Sequence, residues 1–248
     1  MLKVRIIPIL TFNGFALVKT KKFSNPRMVG NPVQAARVYN SRGVDELVFL
    51  DIFASTQKRK INLKLVGEVI KECYMPVAIG GGIENIDDIN NLLKIGADKV
   101  VIKTMALTNI AFIKQGVAFF GSQCITIAVD VIKENNAYKI FNKLGLELRL
   151  DDFVKQMESC DVGEFVLNSV DHDGLMKGFD IELIDYFMKI TKIPVIAVGG
   201  GGEMIHYSDL FTKTNVEAVG SASIFHFTQY TPMDIKEELL AHNIPVRI

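Results

Sequence analysis

Two glycine clusters lead the residues able to do chemistry. Gly80-Gly81-Gly82 follows the apolar run Pro76–Ile79, and Gly199 to Gly202 follow Pro194–Val198. Glycine lets backbone N–H groups close on an anion. A small hydroxyl follows each cluster at the same distance: Thr104 lies 22 residues after Gly82, and Ser223 lies 22 after Gly201. Each hydroxyl opens a segment whose first N–H groups would carry partial positive charge, as phosphate sites use. The shift between the two sets, 119 residues, is close to half of the 248-residue chain. Two symmetry-related phosphate sites follow, and with them an elongated substrate phosphorylated at both ends. The plainer alternative is a pair of tight turns holding no ligand.

Acidic residues end several apolar runs. Asp130 closes Ile125-Thr-Ile-Ala-Val, where apolar neighbours suit a carboxyl to proton transfer. Asp51 closes a similar run and reads better as an acceptor of loop N–H groups. Asp171 and Asp173 flank His172 and precede Gly174, where they could hold a loop or face a substrate. The four histidines show no ligand spacing, so no metal and no cofactor are expected, and His226 reads as a packed residue. At the opposite ends of four runs stand Arg5, Glu46, Lys99 and Glu164. Two cations and two anions at one end of a closed sheet could pair as a ring. On pattern alone an ordinary surface network is the simpler reading.

The elements that must position these residues are regular. Eight short apolar runs, Val4–Leu10, Glu46–Asp51, Pro76–Ile79, Lys99–Ile102, Cys124–Asp130, Glu164–Leu167, Pro194–Val198 and Glu217–Gly220, have the near-continuous character of parallel strands covered on both faces. Helical patterns alternate with them, the first opened by Asn31-Pro32 as N-cap and first helical residue. Eight strand-then-helix units predict an α/β fold, a (β/α)8 TIM barrel of two similar half-barrels, with residues 1–248 as one domain. A doubly wound open sheet is the alternative. Two connections are long, Thr11–Gly30 and Val131–Arg149. The second suggests a small hairpin of Tyr138–Phe141 with Leu144–Leu148. Long βα loops belong to the C-terminal face, where barrel active sites sit.

Composition narrows the classes further. The 28 basic and 28 acidic residues cancel, and no basic run stands out, which argues against nucleic-acid or membrane-surface binding. No run of 18 apolar residues is present to span a membrane. Three scattered cysteines, Cys73, Cys124 and Cys160, form no CxxC pair, and a cytoplasmic setting is the simplest expectation.

Nearly the whole chain resembles the cyclase subunit family of imidazole glycerol phosphate synthase, HisF. The carrying segments are Arg5-Ile-Ile-Pro, Asp45-Glu-Leu-Val-Phe-Leu-Asp-Ile, Gly80-Gly-Gly-Ile, Gly96-Ala-Asp-Lys-Val, Gly121-Ser-Gln-Cys-Ile, Asp171-His-Asp-Gly, Ala222-Ser-Ile-Phe-His-Phe and Ile244-Pro-Val-Arg. The resemblance implies a lyase of histidine biosynthesis that takes a bis-phosphorylated formimino nucleotide. It implies ammonia arriving through the barrel from a HisH-like glutaminase in a heterodimer. Carried over by position, one catalytic aspartate is Asp130. The phosphate residues are Gly82 and Thr104 in one half, and Gly174, Gly200, Ala222 and Ser223 in the other, with Asp173 nearby. The loop lysine is Lys19. Arg5, Glu46, Lys99 and Glu164 become an ammonia gate, and Asp98 and Gln123 face the glutaminase.

The departures are chemical. The family's strand-1 aspartate is Thr11, which cannot serve as a base near neutral pH without another group to activate it. The family's asparagine before the first hydroxyl is Lys103, a point charge beside a phosphate site. Asn168 and Val198 also differ from the family's pattern. Three readings follow: a paralogue supplying ammonia for sugar amidation in surface polysaccharide synthesis, a working cyclase, or a non-catalytic scaffold that activates a glutaminase. No nucleophile-elbow cysteine appears in this chain, so glutamine as nitrogen source requires a partner.

Overall fold

The computed structural model describes residues 3–248. Eight strands close a parallel barrel: β1 (Arg5–Phe12), β4 (Leu47–Asp51), β5 (Val77–Gly80), β6 (Lys99–Ile102), β7 (Ile125–Glu134), β9 (Glu164–Ser169), β10 (Val195–Val198) and β11 (Ala218–Ser221). β11 returns to β1, pairing Ala218 with Arg5 and Gly220 with Ile7, so the barrel has no open edge. The other strands form hairpins over the C-terminal end. β2 (Leu17–Lys21) and β3 (Ser24–Gly30) extend β1, and β8 (Ala137–Ile140) extends β7.

Helices α1 (Pro32–Ser41), α2 (Leu63–Ile70), α3 (Ile86–Lys94), α5 (Ile110–Phe120), α6 (Leu150–Glu158), α7 (Ile181–Ile190), α8 (Met204–Lys213) and α10 (Pro232–Ala241) lie outside the strands. Most of their starts follow capping chemistry. Asn31 accepts from Val33 and Gln34 N–H groups ahead of Pro32, and Asn85 with Asp88 forms a reciprocal capping box. Two one-turn helices, α4 (Thr104–Thr108) and α9 (Ser223–Phe227), follow β6 and β11. One turn is too short to show a periodic pattern, so the sequence places a helix start beside each hydroxyl without marking these two helices as separate elements.

The strand period of two sorts side chains into two cores. Outward residues such as Ile6, Leu10, Phe49, Ile79 and Phe165 pack against the helices. Inward residues Ile7, Ile9, Val48, Ala78, Val101, Val166, Ile196 and Ala218 fill the bore. The seam is tied by a buried pair. Lys236 of α10, only 2% exposed, donates to Asp45 and to the Gly43 carbonyl, each at 3.0 Å, while Asp45 accepts the Ile6 N–H at 2.8 Å.

The expected hairpin after the fifth barrel strand needs correction. β7 itself runs on to Glu134 and pairs with Ala137–Ile140, and Leu144–Leu148 is not a strand. Asn135 and Asn136 make the turn at φ +50° and +61°, a conformation asparagine tolerates and a two-residue hairpin requires. The Thr11–Gly30 connection, expected as a loop, is the β2–β3 hairpin. Its turn places Lys22 and Phe23 at φ +47° and +60°, without the glycine that would mark it in sequence.

Candidate functional site at the two ends of the bore

Four of the eight inward faces, those of β1, β4, β6 and β9, begin at a charged residue and continue through apolar residues toward the mouth. β1 reads Arg5, Ile7, Ile9, Thr11. β6 reads Lys99 and Val101 and continues to Lys103. β9 reads Glu164, Val166, Asn168. The parity of a β-strand therefore aligns two chemical sites along one axis.

At the N-terminal end the four charges close into a ring. Arg5 donates to Glu46 at 2.9 Å and to Glu164 at 2.6 Å, and Lys99 donates to Glu46 and Glu164, both at 2.9 Å. Both acids are buried. Burial alone would lower the pKa of Arg5 and of Lys99, but the two glutamates outweigh it and both are raised. The network is thus an ordered plug across the bore and not a scatter of surface pairs. Asp98 and Gln123 stand exposed at this same end, beside the starts of β6 and β7. Above the ring the bore is apolar except for Thr126, whose buried Oγ1 has no hydrogen-bond partner among the described residues.

At the C-terminal end the two glycine clusters lie where the repeat places them. Gly81 and Gly200, related by the 119-residue shift, have φ +123° and +113°. The residues before the one-turn helices also match: Lys103 at φ −122°, ψ −68° and Ala222 at φ −135°, ψ −61°. Thr104 and Ser223 begin these helices. A Cβ on Gly82 would fall 2.7 Å from the Arg59 carbonyl, and one on Gly174 would fall 2.3 Å from the Thr20 carbonyl. These glycines allow loops to close tightly around the mouth.

The acids divide. Asp51 accepts the N–H groups of Phe53 and Ala54 at 3.1 and 3.0 Å and is bound by Arg59, so its role is loop anchoring. Asp171 holds the Lys133 N–H at 2.9 Å. Asp173 is buried beside Lys19 at 3.9 Å and accepts from Thr20 at 3.3 Å. Burial raises the Asp173 pKa, with the charge of Asp130 adding to it and Lys19 opposing. Asp130 faces the axis, where its carboxylate is held by the Lys103 ammonium. Thr11 donates to the Val18 carbonyl of β2, and so its hydroxyl serves the hairpin.

Three contributors were not singled out in the sequence. Arg59 joins Asp51 to the Asn13 carbonyl, at 2.9 Å from the latter. Phe23 and Phe141, from the two hairpins, meet edge to face at 5.5 Å and cover Lys103 at 5.7 and 5.8 Å. Both aromatics lie in or beside irregular chain, where no periodic pattern could mark them. Among the described residues no group of three or more His, Cys, Asp or Glu side chains could hold a metal ion. No helix among them is long and apolar enough to cross a membrane.

The site carries an acid-side pH dependence. Burial, helped by Lys19, holds His226 low, at about 4. Its folded pKa lies below its ordinary value, so protonation favours the unfolded chain. Stability is whole above about pH 6.5 and falls as the pH drops toward 4. Asp173, raised in the fold, acts in the opposite sense at the acid end. Between pH 7 and 4 the protein should lose about 2 kcal/mol more than His226→Gln, the full shift being discounted for partial exposure. Denaturant midpoints for the two proteins at matched pH values check this. Equal slopes would contradict it.

Fold and site define a (β/α)8 barrel built from two similar halves, closed by an ion ring at one end and bearing matched glycine cradles at the other. Residues 5–231 match the family model described as "Histidine biosynthesis protein". Curated relatives named "Imidazole glycerol phosphate synthase subunit HisF" align over their full length and that of this chain. One from Staphylococcus saprophyticus is 42% identical, and ones from Natranaerobius thermophilus and Streptococcus mutans are each 39% identical. The chain belongs to the HisF family.

Proposed function

We propose that this protein is a divergent HisF-like subunit of a glutamine amidotransferase complex. A HisH-like glutaminase docks on the Asp98 and Gln123 end. Ammonia passes the Arg5, Glu46, Lys99 and Glu164 gate, crosses the apolar bore, and is used or relayed at the mouth. There a phosphorylated small molecule rests on two cradles: Gly82, Thr104 and the neighbouring Lys103 in one half, and Asp173, Gly174, Gly200, Ala222 and Ser223 in the other. Lys19 serves the covering loop. The end use is ammonia supply for sugar amidation in surface polysaccharide synthesis, in the cytoplasm.

One observation carries the altered acceptor. Neither strand end offers a free carboxylate, because position 11 is a threonine bonded to Val18 and Asp130 is paired with Lys103. The relatives' full-length identity favours a second reading, a functional cyclase of histidine biosynthesis. That reading and the first share the gate and differ at the mouth.

Mixing with a HisH-type glutaminase tests the reading. Glutamine hydrolysis should rise on complex formation, and Asp98→Lys should weaken the complex. Asp130→Asn should preserve this activation but stop product formation at the mouth. Preserved activation with undiminished product would remove any chemical role for Asp130, and no activation at all would remove the ammonia reading.

A further inference from the structure

The amine of Lys103 sits at the mouth of the bore. It lies on the same face as Lys99 and Val101 of β6, contacts Asp130 on the neighbouring β7, and is roofed by Phe23 and Phe141. The roof is held by a turn with two non-glycine residues, Lys22 and Phe23, at positive φ, an arrangement kept only when its surroundings enforce it. Partly desolvated lysines are the groups that form Schiff bases with carbonyl substrates, and a carboxylate in contact with one can take up and return the protons that imine formation moves.

We propose that Lys103 is an imine-forming catalytic lysine acting on the carbonyl of a phosphorylated keto sugar. Asp130 takes a proton from the ammonium, and the free amine adds to the carbonyl carbon to give a carbinolamine. The proton returns from Asp130 to the carbinolamine hydroxyl, which leaves as water as the C=N bond forms. Ammonia then adds to the imine carbon, and the Lys103 amine departs, leaving a sugar imine and restoring the enzyme. Transimination needs no carboxylate on β1, which fits Thr11. The last exchange rests on the proposed delivery of ammonia, whereas imine formation does not.

The test is reductive trapping on the purified protein with ribulose 5-phosphate and cyanoborohydride, followed by intact-mass and peptide mass spectrometry. A keto sugar is chosen because it labels surface lysines slowly. One equivalent should be fixed on Lys103. Lys103→Arg keeps the charge beside Asp130 but cannot be trapped, so its labelling should fall to background while its melting temperature stays within a few degrees. Asp130→Asn should slow trapping about 10²-fold, and ammonium chloride should lower the trapped fraction in the unmodified sequence. No adduct, or equal labelling of Lys103→Arg, overturns the proposal. Adduct formation itself needs neither a glutaminase nor ammonia, so its failure leaves the relay reading intact, and a failed relay leaves a trapped imine in place.

Discussion

Glu164→Ala should cost about 3 kcal/mol and lower the melting temperature by about 10 °C. Glu164 is 6% exposed and accepts from both Arg5 and Lys99. Its removal leaves two cations sharing Glu46 in a site where each is only 21% exposed. The cost comes from the stranded charges, and so Glu164→Gln, which keeps acceptor atoms, should lose less. Removing Arg5 as well should recover part of the loss, and a double-mutant cycle with Arg5→Met should show clear non-additivity. In a glutaminase complex the same variant should leak, with glutamate formed faster than ammonia is used at the mouth. Additive single effects near zero would reduce the ring to ordinary surface pairs.

Gly200→Ala should be at least as damaging, at about 3–4 kcal/mol or more. The residue sits at φ +113°, and a Cβ there would lie 2.0 Å from the Gly178 carbonyl. The two loops are locked together at this point, with the Gly178 N–H donating to the Gly200 carbonyl at 2.9 Å. No side chain can yield, because the obstacle is backbone. Gly43→Ala supplies the control. That glycine has φ +59°, and an added methyl would meet nothing within 4 Å, so only the left-handed conformation is penalised, by about 1 kcal/mol. Chemical denaturation should separate the two, and Gly200→Ala should also weaken inorganic phosphate binding at least tenfold. Equal losses for both glycines would mean the loops do not interlock as described.

The architecture was legible because barrel strands are nearly continuous apolar runs and several helix starts, such as Asn31, Asn85 and Thr231, carry capping residues. Pro194–Val198 and Ile181–Ile190 needed no tertiary information to be found. The repeat was legible for the same reason, since Gly82 with Thr104 and Gly201 with Ser223 are spaced identically. Contact was harder to read than position. Arg5 and Glu164 are 159 residues apart, and only strand register brings them to 2.6 Å. Pattern alone therefore favours a surface network, and only the closed barrel places four strand starts around one axis. The mouth was the least legible. Lys103 lies just past the end of β6 and Asp130 midway along β7, and that they meet over the bore depends on parity in two adjacent strands. The aromatic roof depends on a turn at Lys22-Phe23 that lacks glycine. Sequence signals for turns come from residues that fit positive φ cheaply, and this turn uses residues that do not.

Cyclase turnover tests the central claim, that the mouth has left the chemistry of histidine biosynthesis while the gate and bore remain. The assay supplies the bis-phosphorylated formimino nucleotide with excess ammonium salt, so no glutaminase is needed. The unmodified protein is compared with Thr11→Asp and with Thr11→Asp/Lys103→Asn. A carboxylate at position 11 cannot donate to the Val18 carbonyl, so the β2–β3 hairpin must shift to admit it. The added base, with Asp130 freed from Lys103, should raise turnover by about 10²-fold or more over the unmodified protein. Turnover by the unmodified protein within tenfold of the double variant would contradict the account and return the chain to the histidine pathway as a working cyclase.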